Sequence, residues 1–168
     1  MTAKAIDIEL ADAVLAELNA APGPVVGPPA GAGTFCQAFT AERIYLGTPD
    51  LADITGIRVS VVPSESDDTF ASRAAIAEEV KINIGIRKKL TASPADLAAY
   101  TEELDGLRLL TFQIKRYLES PAHRRLSTMA DAMLTQGAQN RPIFVPEHLT
   151  EMNQYTSIII LTYTVTRV

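Results

Sequence analysis

Tryptophan is absent from this sequence, cysteine occurs once and histidine twice, and each shortage removes a class of function. A lone cysteine cannot bridge within its own chain, so no disulfide framework is expected. Cys36 reads as an inert, half-buried thiol, because only His123 and His148 could activate it as a nucleophile. No paired-cysteine metal site, glycine-rich phosphate loop or nucleophile elbow occurs. The dipeptide Glu147-His148 lacks a second histidine or a carboxylate at ligand spacing, so capping and packing explain it better than acid-base work. Asp67-Asp68 has only Glu65 for support and reads as solvated rather than as a divalent-ion site. No catalytic, cofactor-binding or metal-binding residue is therefore assigned, and an enzyme is not expected.

Long apolar runs are also missing. Asp7, Glu9 and Asp12 interrupt the first apolar stretch, and nothing approaches the ~18 apolar residues of a membrane span, so no membrane partner is expected and the product is read as soluble, made in a reducing compartment. The net charge of −5 argues against a protein that grips nucleic acid by its phosphates. The basic runs 87–89 and 123–125 are too short to change that. With 168 residues, 47% of them hydrophobic, the chain suits one domain, 1–168, that buries about 70% of its extended surface without a staple.

What is present centres on the end of the chain. Residues 155–168 hold the densest run of β-branched and aromatic side chains, and Ile159, Leu161, Tyr163 and Val165 alternate with Ile160, Thr162, Thr164 and Thr166. That predicts a strand with one dry face, roughly 45 Å long at about 3.3 Å per residue. At the other end, residues 6–20 read as a helix, with Ile8, Ala11, Leu15 and Leu18 inward, Val14 beside them, and Asp7, Glu9, Asp12 and Glu17 outward. The Gly/Pro-rich stretch 21–33 reads as a linker that lets this helix dock at a distance, in cis or on another subunit.

Residues 34–46 contain a strand, 47–50 a turn, and 57–62 and 80–87 are partner strands by their alternation. Pro63 is expected to end the first of them. The intervening acidic segment, 64–79, is longer than a hairpin needs and reads either as a solvated loop or as an arm ordered by neighbouring subunits; Phe70 and Ile76 within it favour the arm. Ser93 as N-cap and Pro94 at the first position predict a long helix to Ser120, with Leu97, Tyr100, Leu104, Leu107, Ile114 and Leu118 as a stripe that Leu110 and Tyr117 widen. Residues 123–139 fit helix or strand equally, 140–146 are extended between prolines, and 147–152 make a helical turn. The expected fold is α+β: a mainly antiparallel sheet of about four strands, covered on one face by the long helix, with the first helix on its linker.

The order of several short segments carries a resemblance. Residues 39–46 with Phe39, Ile44 and Tyr45, then Asp50-Leu51, 57–63 ending in Pro63, Ser72-Arg73, 80–86, Arg141-Pro142, 146–149 and the terminal strand from Gln154 resemble tailed-bacteriophage tail terminator (tail completion) proteins. The likeness runs from about Phe39 to the carboxyl end. The linker departs from the pattern, as does 132–135, where an aromatic residue is expected. The resemblance implies a virion protein, assembled in the host cytoplasm as a hexameric ring. Such a ring caps the tail tube, ends its growth, and meets the tail-tube protein on one side and neck or head-completion proteins on the other. DNA passes its channel without specific binding, which an acidic chain suits. A head-to-tail ring needs elements that reach the next subunit, and the arm supplies candidates: Glu65, Asp67, Asp68, Thr69, Phe70 and Arg73. Two other readings stay open, a tail-tube or other neck component that stacks instead of terminating, and a small enzyme with an unrecognised site.

Overall fold

The computed structural model describes residues 4–21, 35–45, 56–70 and 76–167. The linker, the expected turn at 47–50, Leu51, and Ser72-Arg73 lie outside the described residues. The elements in chain order are α1 (Ile6–Ala20), β1 (Ala41–Arg43), β2 (Arg58–Phe70), β3 (Ile76–Lys89), α2 (Leu97–Glu119), β4 (Arg125–Leu126), β5 (Met129–Leu134), β6 (Gln139–Asn140), α3 (Pro146–Met152) and β7 (Gln154–Arg167).

The strands form one sheet of seven in the order β1-β2-β3-β7-β5-β4, with β6 also paired to β7. This corrects the expected four-stranded sheet under a single helix. Three helices are present among the described residues, and the sheet is mixed, because β1 runs parallel to β2 while the other pairings are antiparallel. β1 falls within the strand expected in 34–46, and β5 within 123–139, where helix and strand fitted equally; the strands not expected, β4 and β6, are two residues long, too short to show a period.

The backbone of the sheet is β3 against β7, paired without interruption from Ile76↔Arg167 to Lys89↔Gln154. The alternation read in the last strand is realised: Ile159, Leu161, Tyr163 and Val165 are fully buried, as are Val80, Ile82, Ile84 and Ile86 beside them. Covering that face takes two helices. Leu107, Leu110, Ile114 and Leu118 of α2 and Leu10, Val14 and Leu18 of α1 all enter one core. Leu97 does not, being 72% exposed at the start of α2. The first helix touches β1 at one edge and β4 and β5 at the other, so the sheet curls around it. The helix that the sequence placed on a free linker is thus a central part of the core.

Glutamates on the helices tie down the connections. Glu103 of α2 accepts from the Thr91 and Ala92 N–H groups, both at 2.9 Å, and from Lys88 Nζ at 2.7 Å. Burial alone would raise the Glu103 pKa, but these donors hold it below the usual carboxylate range. Glu119 accepts from the Ala138 N–H at 2.9 Å. The start of α2 also differs in detail from expectation: Asp96 is the N-cap, accepting from the Ala99 N–H at 3.3 Å, and Ser93 caps the turn before it through the Ala95 N–H. Asn153 takes the left-handed conformation at φ 49° that lets α3 turn directly into β7.

Candidate functional site

In the segment read as a loop or arm, the described residues, 64–70 and 76–79, are strand. Pairing in the β2–β3 hairpin continues from Arg58↔Arg87 to Phe70↔Ile76, so Pro63 does not end β2. It sits at a bulge instead: Pro63 pairs with Ile82, Glu65 pairs with Lys81, and Ser64 is the extra residue. Proline lacks an N–H to give the ladder, and a bulge is one of the few places within a sheet that tolerates it. The Ser64 hydroxyl donates to the Lys81 carbonyl at 3.1 Å. One inserted residue switches every later side chain to the opposite face. Without it Glu65 and Asp67 would follow Val59 and Val61 into the core; with it they lie on the outer face beside Lys81 and Glu79.

That outer face is electrostatically unbalanced. Lys81 Nζ is 2.6 Å from Glu65 Oε2, and Glu65, with help from Asp67 and Glu79, pushes the Lys81 pKa up. Three carboxylates therefore share one ammonium. Asp67 stands directly opposite Glu79, where like charges oppose pairing. The Ser66 hydroxyl donates to Glu78 on the other face. Among the described residues, β1 pairs with Val59 to Val61 only and no strand other than β3 lies beside β2 from Val62 to Phe70. An open strand edge is a ready template for pairing, and charges along it select what pairs.

Of the candidate interface residues, the structure brings Glu65 and Asp67 together on the exposed outer face. Asp68, Thr69 and Phe70 fall in β2 opposite Glu78, Ala77 and Ile76, with their side chains outside the described set. Arg73 lies outside the described residues altogether. The bulge was legible only as Pro63, and the sequence reading took that proline for a strand end.

Elsewhere, chemistry-bearing groups are engaged in packing. The Cys36 thiol donates to the Gly106 carbonyl at 3.6 Å, and burial pushes its pKa up. His148 Nδ1 lies 2.9 Å from Thr156 Oγ1. Among the described residues no three His, Cys, Asp or Glu side chains are placed to hold a metal ion, and no helix is long and apolar enough to cross a membrane.

One polar cluster was missed. Glu17, read as facing out, is 5% exposed and accepts from His123 Nδ1, from the Ser127 hydroxyl at 2.8 Å and from the Ser127 N–H at 3.2 Å. The Tyr117 ring stacks on His123 with centroids 3.9 Å apart, and Tyr117 Oη donates to the Glu17 carbonyl. Burial would raise the Glu17 pKa, but the histidine and serine donors bring it below the usual range, so the carboxylate is ionised and His123 Nδ1 carries the proton between them. A serine, a histidine and a glutamate meet here, yet the glutamate sits in the middle and binds both. The serine is thus bound to the carboxylate rather than to a base that could take its proton, and the arrangement is a latch for α1, not a nucleophile relay.

The chain matches no protein-family model, and no curated protein matches it either.

Proposed function

We propose that this chain is a structural virion protein that assembles with copies of itself into a ring at the head-proximal end of a phage tail, ends growth of the tail tube and joins the tail to the neck. The observation that carries this reading is the edge of β2 from Val62 to Phe70, which no strand covers among the described residues, beside exposed, unbalanced carboxylates. A strand edge of this length is a liability in a monomer, and a subunit interface resolves it. The order of segments that resembles tail terminator proteins supports the same reading and supplies its location. The engaged state of Cys36, His148 and the Glu17 cluster favours work done by surfaces over catalysis.

The test is tail morphology. Tail proteins expressed together without this chain are expected to give tubes of uncontrolled length, and adding the purified chain is expected to cap them. Tubes of normal, uniform length without it would refute the proposal. Long tubes formed by the chain alone would favour the tail-tube component instead.

A further inference from the structure

The outer face of the β2–β3 hairpin is charged with opposite sign at its two ends. At the arm end, Asp67 faces Glu79 across the ladder; at the other end, here the foot, Arg58 faces Arg87. Both are like-charge pairs, and that of Asp67 with Glu79 opposes pairing where it stands. Lys89 lies two residues beyond Arg87 on the same face, and Arg58 and Lys89 are both exposed. Arg87 is half-buried, so Arg58 and Lys89 are the cations the foot presents to a neighbour. Between the ends the same face carries Val62, Gly85, Ile158 and Ile160.

Lys81 offsets only part of the arm's charge, and the hairpin cannot bring its two ends together. Nine strand residues at about 3.3 Å each separate Asp67 from Arg58 by roughly 30 Å, several times the ~8 Å over which exposed charges are felt at physiological salt. A second copy can bring the two ends together. We infer that neighbouring copies meet arm to foot, Asp67 and Glu79 of one against Arg58 and Lys89 of the next. The inference rests on the self-assembly proposed above and names the surface that performs it. Where each arm takes the foot of a different copy, the contact is head-to-tail and propagates until a ring closes; two copies that exchange both contacts would instead close as a dimer.

The experiment is a charge swap read by sedimentation velocity at physiological salt. The arm variant carries Asp67→Lys with Glu79→Lys; the foot variant carries Arg58→Glu with Lys89→Glu. Each alone is expected to raise the concentration needed for half-assembly by about tenfold or more, and an equimolar mixture is expected to restore assembly, because reversed arms then meet reversed feet. A variant with Glu102→Lys and Asp105→Lys on the exposed side of α2 makes the same charge change elsewhere and is expected to assemble normally; urea unfolding confirms that each variant folds. Assembly unaffected in both variants, or not restored on mixing, overturns the arm-to-foot contact while leaving a ring possible. Restoration that stops at a two-body particle keeps the contact and removes the ring. A wild-type chain that stays monomeric at every concentration removes both.

Discussion

Replacing Glu17 should release the first helix from the rest of the protein. Its carboxylate is nearly fully buried and accepts from His123 Nδ1 and twice from Ser127. A hydrogen bond to a charged group contributes about 1.5 to 3 kcal/mol. Ser127 is exposed and its donors can return to water, so most of the cost of Glu17→Ala comes from the His123 contact and the void beside Tyr117. We expect a loss of about 3 kcal/mol, which for a chain of this size lowers Tm by roughly 6 to 12 °C. Glu17→Gln keeps the volume and the serine contacts and should cost about 1 to 2 kcal/mol. The sign with pH follows from the depressed pKa of Glu17 in the folded state. Its stabilisation is complete above the unfolded carboxylate value of about 4.3 and is lost as pH falls through the lower folded value. Urea unfolding of wild type and Glu17→Gln from pH 7 to pH 3 should show a gap that closes at the acid end. A gap below about 0.5 kcal/mol at pH 7, or one that persists unchanged in acid, would show that the cluster does not hold α1.

Three further outcomes test the fold. Leu107 is fully buried under the sheet: Leu107→Ala should cost about 3 kcal/mol in urea unfolding, and Leu107→Asp should give insoluble or unfolded chain, whereas a cooperative, normally folded Asp variant would remove α2 from the core. A Cβ on Gly85 would lie 2.7 Å from Ser60 Oγ, so Gly85→Ala should cost about 1 to 2 kcal/mol by overpacking; Gly85→Ala in a Ser60→Ala background should recover part of that loss, and no recovery would place the strain elsewhere. Amides of 78–83 lie in β3 between two paired strands and should exchange at least about a hundredfold more slowly than an open chain; exchange within seconds would restore the loop reading of the segment.

The periodic parts of the fold were legible. The alternation in 155–166 and 80–87 and the helical stripe from Leu104 to Leu118 follow from side-chain spacing, and the structure keeps them. What failed did so for local reasons. β2 continues past Pro63 because a bulge absorbs the missing donor, and the segment beyond it is held by β3 and, through β3, by β7, a tertiary partnership that outweighs its poor strand composition. Glu17 sits on the inward side of α1, where helical spacing did place it next to Val14 and Leu18, but its charge alone assigned it to solvent. The partner that reverses that assignment, His123, is more than a hundred residues away. In the candidate site, the acidic composition of Glu65 and Asp67 was plain, whereas their common face and the opposite charge at the foot needed the register.

The most direct test of the assembly account is native mass spectrometry of the purified wild-type chain, free of other tail proteins. The account predicts a closed particle of one fixed subunit number that dissociates as salt is raised. A monomer across the accessible concentration range would contradict it.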